Sequence, residues 1–209
     1  VEIAPEVIEA APHFASVNRS VLLPRPGGPE VRVHVDDARG FLATAGERYD
    51  LISCDPPIPY LSGGSALFTR EFYEACRSRL EPDGLCSQWI PHTLYDEDAR
   101  LLIRTFHAAF PHTTLWFVRN TVLLIGSMAP LRFDPILLEG RLSQRGAVRQ
   151  ELAQWHLDRV EAMLSMFWCG PSGIARYTGP GVLLSGDLPV LEYYRGRGEI
   201  RASMAQVWN

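Results

Sequence analysis

Tyr49-Asp-Leu-Ile-Ser-Cys-Asp-Pro-Pro-Ile-Pro59 decides how the rest of the chain is read. Asp50-Leu-Ile-Ser-Cys54 has the length and apolar character of a buried strand. It stops on Asp55, and prolines at 56, 57 and 59 forbid a continued ladder, because proline has no N–H to give. A buried strand that ends on a carboxylate and runs into a proline loop fits a parallel sheet whose strand ends face a ligand.

The neighbouring segments agree with that reading. Upstream, Val31, Val33 and Val35 alternate as a strand, followed by Asp36-Asp37 and a short helix through Phe41-Leu42. Val1-Glu-Ile3 resembles a strand end, and Pro5 opens a helix on which Val7, Ile8, Ala11 and Phe14 recur. Residues 23–30 are a Pro/Gly loop. Downstream, 56–64 is a loop, and Phe68 to Leu80 is a helix with Thr69 as cap and Glu71 in its first turn. Pro82-Asp-Gly84 is a turn, and Leu85 to Ile90 a strand. Asp96 to Phe110 is an amphipathic helix. Two apolar runs, 113–118 and 122–127, flank Arg119-Asn120 as a hairpin.

Strand and helix therefore alternate. The expectation is an α/β fold: a doubly wound, mostly parallel, Rossmann-like sheet of methyltransferase type, with a terminal antiparallel hairpin and a C-terminal helical extension. Residues 1–130 form the core in this reading, and 131–209 pack on it with helices over 135–144 and 150–166.

Composition sets limits. The 209 residues are 46% hydrophobic and 21% charged, which excludes a disordered or fibrous chain. Twenty Lys+Arg against 24 Asp+Glu give a net charge of -4, which argues against nucleic acid as partner. Four cysteines (Cys54, Cys76, Cys86, Cys169) without CxxC spacing read as free thiols of a reducing compartment, so the expected location is cytoplasmic. His92, His107, His112 and His156 show no metal spacing, and no metal is expected. Ser65 and Ser87 lack an evident histidine partner.

In an open α/β sheet, ligands sit at the carboxyl ends of the strands. Those ends carry Glu2, then Asp36-Asp37, then Asp55, then Gln88. A carboxylate near such a strand end can accept from the two hydroxyls of a ribose, which suits Glu2. Asp37 can accept from an adenine amino group, and Asp55 can accept a proton from an amine. Each Asp also has a plainer reading as a helix N-cap.

These segments carry a resemblance. Val1-Glu-Ile-Ala-Pro-Glu-Val-Ile8, Val35-Asp-Asp-Ala-Arg-Gly-Phe-Leu42, Tyr49 to Asp55, and Ser65-Ala-Leu-Phe-Thr-Arg-Glu-Phe-Tyr-Glu-Ala-Cys76 resemble the polyamine aminopropyltransferase family, spermidine synthase and its relatives. Leu80-Glu-Pro-Asp-Gly-Leu85, Ser87-Gln-Trp-Ile-Pro91 and Gly186-Asp-Leu-Pro-Val-Leu-Glu-Tyr193 continue the match. The resemblance implies transfer of an aminopropyl group from decarboxylated S-adenosylmethionine to an amine, with methylthioadenosine as product. It assigns Asp55 as general base, Glu2, Asp36 and Asp37 to the cofactor, and Tyr60 and Gln88 to the amine. It also implies a homodimer, with Trp155, Phe167 and Trp168 as core or interface. The Gln-Trp-x-Pro string is similar to bacterial members fused to membrane segments, so a membrane segment outside this chain is a further expectation.

Departures keep other readings open. The family's glycine-rich loop is expected upstream of Val1, where the chain opens without Met. The usual Asp-x-x-Asp-Pro becomes Asp55-Pro-Pro-Ile-Pro59, so Ile58 stands where a second carboxylate would hold a diamine's ammonium. Asp36 replaces a more usual glycine. Asp55-Pro56-Pro57 is also similar to the Asn/Asp-Pro-Pro-aromatic motif of S-adenosylmethionine-dependent N-methyltransferases, although Ile58 occupies the aromatic position. A degenerate, non-catalytic nucleoside-binding domain is the third reading.

Overall fold

The computed structural model describes residues 1–23, 28, 30–91, 93–118, 121–188 and 190–193. His92, Arg119 and Asn120 (where the hairpin's connection was expected), most of the Pro/Gly stretch after Leu23, Pro189 and residues 194–209 lie outside the described residues. The chain divides into two units, 1–47 and 48 onward.

In the first unit, α1 (Pro5–Ala10), a 3-10 turn (Ala11–Phe14) and α2 (Ala15–Asn18) follow one another directly, and α3 (Ala38–Thr44) comes later. The strands expected at 1–3 and 31–35 reduce to one parallel bridge, Glu2 with Val35. Glu2 N–H donates to the His34 carbonyl (2.9 Å), and Asp36 N–H donates to the Glu2 carbonyl (3.1 Å). The apolar face expected on the first helix is open to water: Val7 is 53% and Phe14 59% exposed. Alternation at 31–35 is a weak signal, because a valine row forms a strand only where neighbours complete the ladder.

The second unit holds a mixed five-stranded sheet in the order β1-β2-β4-β3-β5. Its strands are β1 (Tyr49–Cys54), β2 (Leu80–Pro91), β3 (Thr114–Val118), β4 (Thr121–Gly126) and β5 (Phe167–Cys169). β1 and β2 run parallel, whereas β2/β4, β4/β3 and β3/β5 are antiparallel. The expected parallel character is thus confined to the β1/β2 pair and the Glu2–Val35 bridge. The hairpin was expected to add one strand; it contributes two, and the extension adds a third. Pro82-Asp-Gly84 does not start β2 but bulges within it: Tyr49 faces Leu80, and Leu51 already faces Leu85.

α4 (Arg70–Arg79) begins where Thr69 Oγ1 accepts from Phe72 N–H (3.3 Å), as its sequence foretells. α5 (Asp96–Ala109) has three acidic residues in its first turn and turns Ala99, Leu102, Ile103 and Phe106 to the core. Tyr73, Phe106 and Phe110 stack there, with the Tyr73 and Phe106 rings 5.0 Å apart and edge-on. Gly126 is required against them, since a Cβ would come within 2.6 Å of Phe110 Cβ.

The extension is more broken than its sequence suggests. α6 (Pro135–Gln144) matches the expected span, capped by Asp134. The single helix expected over 150–166 is instead α7 (Gly146–Ala153) and α8 (Val160–Leu164). The chain breaks at His156, whose φ of 59° is left-handed. α9 (Pro171–Thr178) is tied to α5 by Arg104, whose guanidinium donates to the carbonyls of Thr178, Gly179 and Val182 at 2.5–3.0 Å. α10 (Val190–Tyr193) follows. Phe167 and Trp168 pack edge-on against Trp116 and Phe117 of β3, while remaining 42% and 47% exposed.

Candidate active site

Both units hold carboxylates expected at strand ends: Glu2, Asp36 and Asp37 about the bridge of the first, and Asp55 after β1 in the second. In the first, the Glu2–Val35 bridge sets Glu2 beside Asp36 and Asp37. All three make bonds close by in sequence. Glu2 Oε1 accepts from Ala4 N–H (2.9 Å), and Asp36 Oδ1 accepts from Asp37 N–H (2.8 Å). Asp37 caps α3, accepting from Arg39 N–H (3.1 Å) and from the Arg39 guanidinium (2.9 Å). The side-chain bond from Arg39 holds the Asp37 carboxyl below its usual range. The capping role of Asp37 is therefore real, whatever else it binds.

In the second unit, Cys54 pairs in register with Gln88, so Asp55 and Gln88 share the carboxyl end of the parallel pair. Asp55 is exposed. Gln88 is fully buried: its Nε2 donates to the Trp89 carbonyl (3.3 Å), and among the described residues no donor meets its Oε1. A buried acceptor left unpaired costs about 1–3 kcal/mol, and among the described residues this atom is short of a donor. Burial pushes the neighbouring Cys54 thiol up to about 12, which keeps it protonated and unreactive at neutral pH. Cys76 and Cys86 are buried and free; a hydrogen bond between the two, and then burial, raise the Cys76 thiol.

Tyr60 is half-buried. Its hydroxyl donates to Asp98 on α5 (2.7 Å) and accepts from Tyr95 N–H (3.5 Å), and burial followed by Asp98 raises its pKa. Two carboxylates passed over in the sequence reading hold this loop. One is Asp98. The other is Glu192, whose Oε1 accepts from Ser65 Oγ (2.6 Å) and Gly63 N–H (3.1 Å). Those bonds, Ser65 first, lower its pKa. The only advance sign of Glu192 is its place in the Asp-x-Pro-x-Leu-Glu string. Asp98 gave none beyond its place in the acidic first turn of α5.

Among the described residues, no group of three His, Cys, Asp or Glu side chains is placed to hold a metal ion, and no helix is long and apolar enough to cross a membrane.

Asp55 and Gln88 thus lie where an open α/β fold places its ligands, at the carboxyl ends of its strands. Residues 1–118 match the spermine/spermidine synthase domain, and the chain belongs to that family. Among curated proteins, the polyamine aminopropyltransferase of Nitrosomonas europaea is 29% identical over 136 residues, covering 59% of this chain and 41% of the relative. That of Lachnospira eligens is 34% identical over 111 residues, covering 52% and 38%. The chain thus spans about four-tenths of these relatives. Spermidine synthase from Thermotoga maritima has the same fold (TM-score 0.58, 21% identity), over 85% of this chain and 58% of that one. A spermidine synthase bound to the transition-state analogue AdoDATO aligns equally well (TM-score 0.58, 22% identity, 85% and 59%).

Proposed function

We propose that this chain carries the aminopropyl-transfer chemistry its relatives are named for. The donor is decarboxylated S-adenosylmethionine, and the acceptor is an amine. The amine nitrogen attacks the carbon bound to the sulfonium, and the C–S bond breaks. Its electron pair returns to sulfur as neutral methylthioadenosine, and the new C–N bond leaves a proton to be lost. An alkylamine of pKa about 10.4 is neutral only about once in a thousand molecules at pH 7.4, a penalty of about 4 kcal/mol. A carboxylate that draws in the ammonium and takes its proton offsets part of that penalty.

Asp55 is that carboxylate in this reading. Gln88 accepts from an N–H of the amine, and Tyr60 belongs to the amine side through its loop. In the first unit, Glu2 takes the ribose hydroxyls and Asp37 the adenine amino group. Asp36 supports them. The carrying observation is the buried, unpaired Gln88 Oε1 on the residue paired with Cys54, next to Asp55. An amine supplies the donor that atom lacks. Ile58, 48% exposed, offers no charge, so the acceptor is an amine that needs no anchor at that position. Free cysteines support a cytoplasmic location, and exposed Trp155, Phe167 and Trp168 support a homodimer.

Incubating the full-length protein with a panel of mono- and diamines and either donor tests this. Turnover with the decarboxylated donor, releasing methylthioadenosine, is expected. Turnover only with S-adenosylmethionine, releasing S-adenosylhomocysteine, would replace the reading with methyl transfer. Binding without turnover would leave a nucleoside-binding domain.

A further inference from the structure

The loop after Asp55 is built unevenly. On the Asp55 side, three prolines fix φ in the chain itself. On the far side, two successive turns reverse the chain: Leu61 N–H donates to the Ile58 carbonyl (3.0 Å), and Gly64 N–H to the Leu61 carbonyl (2.8 Å). Gly63 sits at φ 77°, and a Cβ on Gly64 would come 2.6 Å from the Ile58 carbonyl oxygen. Such a turn has many competitors in water, because each hydrogen bond contributes only about 0.5–1.5 kcal/mol net. Support has to come from outside the loop.

It comes from two carboxylates far away in sequence. Asp98 holds the middle of the loop through Tyr60, and Glu192 holds its far end through Gly63 N–H and Ser65 Oγ. The segment bearing Glu192 is itself tied down. Leu191 is buried, the Leu184 carbonyl accepts from Arg70 N–H (2.9 Å), and Gly186 N–H donates to Glu71 (3.0 Å). Bonds to an ionised carboxylate are about twice as strong as neutral ones, so one anionic side chain can select one turn geometry.

We propose that Glu192 is a positioning residue for the acceptor amine: through Gly63 and Ser65 it fixes the loop that follows Asp55 in the conformation that receives the amine. Glu192 does not touch the reacting atoms. It acts by keeping Ile58 and Tyr60 in place beside the proton acceptor, so that the amine does not have to order the loop on binding. This inference rests on the aminopropyl-transfer reading for its kinetic part and on the fold alone for its structural part.

Amide hydrogen exchange and steady-state kinetics on Glu192→Ala and Glu192→Gln in the full-length protein test the two parts separately. Glu192→Ala is expected to remove the protection of the Gly63 amide. It is also expected to raise KM for the amine about ten-fold with kcat within about three-fold and methylthioadenosine affinity unchanged. Glu192→Gln keeps an acceptor oxygen and restores most of the protection and affinity. Ser65→Ala removes one of the two donors and gives a smaller effect in the same direction, which serves if Glu192→Ala folds poorly. Unchanged Gly63 exchange in both Glu192→Ala and Ser65→Ala overturns the proposal. So does an equal rise of KM for amine and donor. If the wild-type protein turns over no amine, the transfer reading fails, and the Gly63 exchange result alone decides whether Glu192 holds the loop.

Discussion

The carboxylates of the two units are bonded in opposite ways. In residues 1–47, Glu2, Asp36 and Asp37 bond to groups one or two positions away, beside short helices on which Val7, Phe14 and Val17 are exposed and Leu42 is buried. From residue 48 onward, Asp98 in α5 and Glu192 in α10 reach across 38 and more than 120 residues to hold one loop. Local bonds set a turn and little else. Long-range bonds on a packed sheet fix where a loop lies, and that is what a reacting amine needs.

The largest contrast should be in stability. Phe106→Ala removes a fully buried ring and is expected to cost about 3–5 kcal/mol, whereas Val17→Ala, at a position 81% exposed, should change little. Denaturant unfolding of both variants checks this, and a comparable loss at Val17 would dissolve the contrast. Gln88→Leu separates packing from function. It deletes an acceptor unpaired among the described residues together with the long bond from Gln88 Nε2 to the Trp89 carbonyl, so the two effects offset and the fold should keep its stability within about 1 kcal/mol, while KM for the amine rises. A clear loss of stability would mean that Gln88 serves the fold. Asp37→Asn should cost least, about 0.5–1 kcal/mol or below, because asparagine still caps a helix and the pair with Arg39 is exposed.

The same residue gives a pH sign. The folded-state pKa of Asp37 is depressed, so its stabilisation is present above the unfolded value of about 3.9 and fades as pH falls through the lower folded value. Amide shifts of α3 followed by NMR should therefore hold through pH 5 and move only in the acid range. Movement near neutrality would contradict the assignment.

Much of this was legible in the sequence. Asp50 to Cys54 reads as a strand because it is short, apolar and stopped by prolines, but the burial expected of it fails: β1 ends the strand order, and Leu51 is 57% exposed. Thr69 announces α4, and α5 shows its core face in Leu101, Leu102, Thr105, Phe106 and Ala109, all buried. Asp55 and Gln88 follow from strand-end logic alone. What escaped depends on distance along the chain. Nothing near 31–35 says whether a ladder forms beside it. A left-handed φ at His156 splits a helix that periodicity would continue. The pairing of Tyr60 with Asp98, and of Ser65 with Glu192, joins residues that only the packed sheet brings together. The family strings at 65–76 and 186–193 did carry that information, since Gly186 meets Glu71 and Glu192 meets Ser65, but as two separate matches.

The assignment of Asp55 bears most directly on the whole account. Asp55→Asn keeps the shape of the side chain and removes its charge and its capacity to take a proton. Single-turnover transfer with decarboxylated S-adenosylmethionine should slow about 10²–10⁴-fold in this variant, with methylthioadenosine binding as tightly as in the wild type. Transfer at the wild-type rate would contradict the account, because the proton of the amine would then leave by another route.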